Sequence, residues 1–161
     1  MTEIRQARET DFDDIWPIMR TVFEAGDTYP HSGAIPREAA YHYWMKTPTA
    51  TYVALDERRI VGAYYLRPNQ PDRGAHVCNA GYMVHPEARN RGIGTAMGRH
   101  SLTQAKQLGF RAMQFNLVVA TNAPSIRVWK KLGFMKTGTL PKAFDHKKLG
   151  LVDAYVMYRE L

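Results

Sequence analysis

One cysteine, Cys78, is all that the 161 residues contain, so no intramolecular disulfide can hold the fold. It stands in an apolar stretch, residues 77–84, which suits a small buried side chain better than a reactive thiol. No apolar run is long enough to cross a bilayer. The first residues, Met1-Thr2-Glu3-Ile4-Arg5, lack the apolar core of a signal peptide. The expectation is a cytoplasmic protein without membrane partners. Acidic residues are the scarcer sign, 15 Asp+Glu against 22 Lys+Arg, for a formal net charge of +7. Such a surplus favours anionic ligands. The basic residues are scattered, however, with small clusters only at Lys130-Lys131 and Lys147-Lys148, and no basic stripe interleaves with aromatics. Nucleic acid is therefore not an expected partner. Repeats, low-complexity tracts and linkers are also missing, and no metal is expected. What remains is one domain, residues 1–161, ordinary in composition and long enough to bury a core.

The apolar periodicity lays out the elements. Residues 4–8 alternate as a first strand. Thr10 is placed to cap a helix with Asp13 in its first turn. Phe12, Ile15, Trp16, Ile18, Met19, Val22 and Phe23 then recur at helical spacing, and Gly26 ends the helix. A polar loop over residues 27–33 leads to Pro36, which opens a second helix through Tyr41, Tyr43, Trp44 and Met45. Residues 51–55 and 60–66 make a hairpin around Asp56-Glu57-Arg58-Arg59. A strand over 77–84, a helix over 93–108 ended by Gly109, and a strand over 112–119 follow. Asn122 caps a helix over 123–132, which Gly133 ends. Strands begin at Phe134 and Ala154. The order βααβββαβαββ predicts an α/β (α+β sandwich) fold around one mixed sheet.

Between the strand over 77–84 and the helix over 93–108 lies Val84-His85-Pro86-Glu87-Ala88-Arg89-Asn90-Arg91-Gly92-Ile93-Gly94-Thr95-Ala96. A strand, a Gly/Arg turn and a helix start make a phosphate cradle, because turn amides and the helix dipole are positive at one place. Gly92 and Gly94 let a phosphate approach the backbone with no Cβ in the way. Arg89 and Arg91 add charge and bidentate donors. A dinucleotide fingerprint is excluded, since its third glycine would fall at Met97 and the next glycine is Gly98. A triphosphate loop is excluded because Thr95 follows Gly94 with no lysine between. The spacing that fits is Arg-x-x-Gly-x-Gly after Val-x-Pro.

That spacing resembles the acetyl-coenzyme A loop of the Gcn5-related N-acetyltransferases (GNAT). The element order matches the same family over nearly the whole chain. The resemblance implies acetyl-CoA as the cofactor and two central parallel strands that splay apart. It also implies that Met83 and Val84 supply backbone N–H groups to the thioester carbonyl, and that Arg89, Asn90, Arg91, Gly92, Ile93, Gly94 and Thr95 hold the pyrophosphate. Asn122, Ser125, Trp129 and Gly133-Phe134 are similar to the family's second signature, whose helix lies beside the pantetheine arm. There Asn122 and Ser125 would touch cofactor amides. From the residues alone, Asn122 is equally an N-cap, and Gly133-Phe134 a helix stop plus a core aromatic. Trp129 stands where the family commonly has a tyrosine that protonates the departing thiolate. An indole N–H donates a hydrogen bond but no proton at neutral pH. Another group then supplies the proton, or the thiolate leaves with hydrogen-bond stabilisation only, or the domain binds its cofactor without catalysis.

Asn79 and Asn116 lie inside strands, where asparagine is disfavoured, and when buried they need partners. Either they are satisfied structural amides or they are catalytic groups that orient the acceptor or polarise the thioester. Together with Trp129, Phe115-Asn116-Leu117-Val118 and Leu140-Pro141-Lys142-Ala143, they resemble a narrower fungal branch that acts on L-azetidine-2-carboxylate and related proline-like imino acids. The chemistry implied is direct attack by the amine of a small molecule, amino acid or imino acid in type. Glu24, Asp27 and His31 are candidates to take its proton. Tyr29, His31 and Tyr82 would contact the acceptor, with Phe144, Asp145 and His146 as further pocket residues. His85, wedged before Pro86, reads as structural. Nothing resembles an acidic groove for a basic peptide, so a protein or peptide acceptor is the alternative, beside an idle acetyl-CoA sensor. The resemblance also implies pairing of the last strands in a homodimer.

Overall fold

A computed structural model describes residues 2–161. Its centre is an antiparallel meander in which β2 (Ala50–Asp56), β3 (Arg59–Pro68) and β4 (Val77–Val84) are apolar on both faces and covered on both. β1 (Glu3–Gln6) adds to the outer side of β2. On the other side β4 pairs in parallel with β5 (Ala112–Val119), which pairs with β7 (Gly150–Glu160), and β6 (Met135–His146) forms the edge. The seven strands follow the order β1-β2-β3-β4-β5-β7-β6.

One face is covered by α1 (Phe12–Ala25) and α2 (Arg37–Tyr41), the other by α3 (Ile93–Gln107) and α4 (Ala123–Lys131). α1 buries the stripe Phe12, Ile15, Ile18, Met19, Val22 and Phe23, and Gly26, with φ +63°, closes it in the left-handed conformation that glycine adopts freely. Thr10 is not its cap. It lies inside a 3₁₀ turn over Glu9–Asp11 that leads into α1, and the Asp11 side chain closes that turn rather than capping α1. The Asp11 carboxylate accepts the Arg8 amide at 2.6 Å and pairs with the Arg5 guanidinium at 2.7 Å. α2 runs into one π-helical turn, His42–Lys46, in which the Thr47 amide reaches back to the His42 carbonyl at 2.9 Å. Turns of this kind recur at functional sites. Here it presents Tyr43 and Trp44 to the sheet, where they pack on Tyr65.

On the opposite face the register sets Tyr52, Tyr64 and Tyr82 side by side across three strands. Their rings stack at 4.9 and 5.4 Å. Cys78 is fully buried, as its apolar stretch suggests, and burial pushes its thiol up to about 12. β6 and β7 are longer than their sequence pattern indicates. Phe144 is the one buried residue of β6, so no alternation marks it. No helix among the described residues is long and apolar enough to cross a membrane.

Candidate active site

The parallel pairing of β4 and β5 stops after two rungs, Val77 with Ala112 and Cys78 with Met113. Beyond them the strands part, and the opening is the centre of the site. Asn79 sits at its vertex, 8% exposed. Its Nδ2 donates to the Gln114 carbonyl at 3.0 Å, a side chain bridging β4 and β5 where the ladder gives out. Its Oδ1 accepts from the Tyr65 hydroxyl at 3.5 Å. On β3 the His85 amide donates to the Val61 carbonyl at 2.7 Å and the Asn69 amide to the Val77 carbonyl at 2.8 Å. Antiparallel alternation then assigns the N–H and C=O groups of Asn79, Gly81 and Met83 to β3, and leaves those of Tyr82 and Val84 facing the opening. The Met83 amide expected at the thioester therefore points away from it. The Val84 amide, also expected there, faces the opening. Tyr29 confirms the alternation by donating its hydroxyl to the Tyr82 carbonyl at 3.1 Å.

At the far end of β4 the chain passes through a 3₁₀ turn, Pro86–Ala88, with His85 as its cap: Nδ1 accepts the Glu87 amide at 3.2 Å. Asn90 and Gly92 then take positive φ, 60° and 78°. Gly92 caps α3, whose first backbone bond runs from the Ala96 amide to the Gly92 carbonyl at 2.9 Å. The amides of Ile93, Gly94 and Thr95 precede it, without partners within the helix. A Cβ built on Gly92 or Gly94 meets nothing within 4 Å. This open, amide-lined hollow at a helix start fits a pyrophosphate. Arg91 differs from expectation. Its guanidinium pairs with Asp56 at 2.5 Å and ties the loop to the β2–β3 turn. Arg89 is exposed and makes no ion pair among the described residues. Asn122 caps α4 by accepting the Ser125 amide at 3.4 Å.

The acceptor side lies on the α1/α2 face. A cavity of about 670 Å³ opens between the α1–α2 loop, β5 and the β6–β7 hairpin, lined by Glu24, Tyr29, His31, Leu117, Phe144 and Asp145 among others. The His31 ring lies 4.4 Å from Tyr43 and 5.2 Å from Phe23, and its Nδ1 is buried without a hydrogen-bond partner. Burial, reinforced by the charge of Arg67, holds the imidazole below its ordinary value. Tyr29 is pushed well above the usual phenol range by burial and stays a neutral donor. Alongside runs a polar chain. The Gln114 amide donates to Asn116 at 2.9 Å, and Asn116 donates to the Asn69 side chain at 2.7 Å.

Several expected site residues stand elsewhere. Asn116 stays beside the opening in that polar chain but is exposed, at the point where β5 skips its pairing with β7 between Phe115 and Val118. The Tyr82 ring lies on the α3/α4 face, its hydroxyl on Ser101 at 2.7 Å, so only its backbone faces the opening. Trp129 is 8% exposed and packs against Phe115 and Tyr82 at 4.5 and 4.7 Å, as a core side chain does. His146 does not line the cavity; its Nδ1 accepts the Lys148 and Leu149 amides and closes the β6–β7 turn. Asp27 is also outside the cavity lining, with Oδ1 buried and unpartnered. Arg67, Tyr43, Tyr65, Asn69 and Gln114 were not signalled by any local motif. Trp129→Phe is expected to leave kcat within about threefold and to lower the unfolding midpoint by roughly 2–6 °C. Steady-state rates and calorimetry check this, and a collapse of kcat with cofactor affinity intact would return the indole to the chemistry.

The acetyltransferase (GNAT) family matches residues 12–134. N-acetyltransferase aca1 of Schizosaccharomyces pombe is 35% identical over 150 residues, covering 83% of this chain and 72% of that protein. The L-amino acid N-acetyltransferase AaaT of Escherichia coli is 28% identical, covering 97% and 96%. A GCN5-related N-acetyltransferase structure from Kribbella flavida superposes with a TM-score of 0.94 at 39% identity, over 99% and 98% of the two chains. A phosphinothricin acetyltransferase from Sinorhizobium meliloti, 26% identical with a TM-score of 0.89 over 99% and 88%, was solved in complex with AcCoA.

Proposed function

This chain belongs to the acetyltransferase (GNAT) family, and we propose that the acceptor of its N-acetyltransferase activity is a small amine of the amino-acid or imino-acid type. Acetyl-CoA is the donor and supplies, when bound, an acetyl thioester reactive toward a neutral amine. The observation that carries the proposal is the cavity of about 670 Å³ on the α1/α2 face, with His31 in its wall. That volume is in the range of small-molecule sites. The E. coli L-amino acid N-acetyltransferase supports the same class of acceptor.

The chain's own groups divide the work. The amides of Ile93, Gly94 and Thr95, with Arg89, hold the anionic end of the donor. The Val84 amide is a donor for a carbonyl oxygen in the opening. Asn79 keeps the opening from zipping shut by holding Gln114. His31, which lines the cavity and is uncharged near neutrality, takes the proton of the acceptor amine on its imidazole. Attack makes the nitrogen strongly acidic, so a weakly basic imidazole is base enough.

Thiol release from acetyl-CoA tests the acceptor class directly. A panel of L-amino acids, proline, azetidine-2-carboxylate, simple amines, polyamines and short peptides is expected to show amino or imino acids turned over with kcat/KM roughly tenfold or more above the peptides. Release with peptides alone would overturn the proposal.

A further inference from the structure

Arg67 is a half-buried cation with no anionic partner among the described residues. It lies near the end of β3, opposite Asn79 in the register. Its guanidinium stands 5.2 Å from the Tyr43 ring and 5.1 Å from the Tyr65 ring. Those two hydroxyls are joined at 3.0 Å, and Tyr65 in turn donates to Asn79. Of the three arginines that are not exposed, Arg5 pairs with Asp11 and Arg159 donates to the Leu132 carbonyl, while Arg67 has neither an ion pair nor a hydrogen bond among the described residues. Withdrawing a cation from water without a partner is costly, while two aromatic rings fix its position and leave its N–H edges available for a planar, bidentate anion.

The donor's phosphates are not that anion. Arg67 faces Asn79, five residues before Val84 and the start of the phosphate loop, which at about 3.3 Å per residue is roughly 16 Å of strand. Arg67 is not itself in the cavity lining; it meets the cavity wall through Tyr43, whose ring lies 4.4 Å from the His31 ring and 5.2 Å from the Arg67 guanidinium. In an α-amino or α-imino acid one carbon separates carboxylate from amine. A carboxylate held at Arg67 then keeps the amine beside Tyr43, the ring that His31 also contacts.

We infer that Arg67 binds the carboxylate of the acceptor and so selects α-amino and α-imino acids over the corresponding amides and amines. The inference rests on the amino-acid reading of the acceptor given above. Its test compares the best amino-acid acceptor with its own primary amide, in the wild type, Arg67→Gln and Arg67→Lys. The wild type should prefer the acid. Arg67→Gln should raise KM for the acid about 10- to 100-fold, the loss expected for a charge-assisted hydrogen-bonded pair, and collapse the acid-to-amide ratio of kcat/KM. The calorimetric affinity for acetyl-CoA should not move. Arg67→Lys, which keeps the charge and loses the fork, should fall between them. A wild type indifferent to acid or amide, or an Arg67→Gln enzyme that keeps the preference, would overturn the inference while amino acids remain acceptors. Thiol release with amines or peptides but no amino acid would instead remove the reading on which it rests, and the inference with it. Should Arg67→Gln not fold, the lysine variant and the wild-type ratio still decide.

Discussion

Gly94→Glu is expected to weaken acetyl-CoA binding by roughly 100-fold or more in calorimetry, with an unfolding midpoint within a few degrees of the wild type. The hollow at the start of α3 is made of amides, and a Cβ at Gly94 meets nothing. The substitution therefore fits the fold. An acidic residue in the first turn of a helix even favours the helix. It does, however, put a carboxylate where a pyrophosphate must sit. A like charge at contact distance, plus a side chain in the approach path, readily removes the 2.7 kcal/mol or so that a hundredfold represents. Gly92 is a less clean choice, since its φ of 78° would strain any side chain and confuse binding with folding. Unchanged affinity in Gly94→Glu would move the donor's phosphates away from this helix start.

His31→Gln should lower kcat about 10²- to 10³-fold and leave acetyl-CoA affinity alone. That is the usual contribution of a positioned general base. Burial and Arg67 hold the folded imidazole below its ordinary value of 6.5. In the wild type the acid limb of kcat/KM should accordingly have its midpoint below that value, and the variant should lack it. The same group makes a stability prediction with a definite sign. Because the unfolded chain binds the proton more readily, stability falls as pH drops from about 6.5 through the lower folded value, and no loss from this group occurs above about 6.5. The glutamine variant should lose part of that acid-side slope. A full rate in His31→Gln would pass the proton to another group of the cavity wall, such as Glu24.

These two residues also mark what could and could not be read in the sequence. β4 and β5 were legible to the residue, at 77–84 and 112–119, because both are apolar runs bounded by turn residues. The glycine turn was legible because its chemistry is local: proline, arginines, glycines and a helix start all fall within thirteen residues. The acceptor side was only partly legible. His31 and Tyr29 stood out in a polar loop, yet Arg67, Tyr43 and Tyr65 did not, since strand register and a π-helical turn bring them together from separate segments. Trp129 and Tyr82 were misplaced for a related reason. The family's second signature puts Trp129 at the chemistry and residue type puts Tyr82 there, while strand alternation and the face of α4 put both rings in the core. Asn116 does lie inside a strand, as its sequence position indicates, but it is exposed. The irregular pairing of β5 with β7 exposes it, and no local pattern announces that irregularity.

In this arrangement the acceptor is expected to meet the donor from the α1/α2 face of the opened β4–β5 pair. A crystal structure with coenzyme A and the best amino-acid acceptor tests it most directly. The pyrophosphate is expected on the amides of Ile93, Gly94 and Thr95, the acceptor carboxylate on Arg67, and its amine within hydrogen-bonding reach of His31. An acceptor bound on the α3/α4 face, or one whose amine lies away from His31 with Arg67 still unpaired, would contradict it.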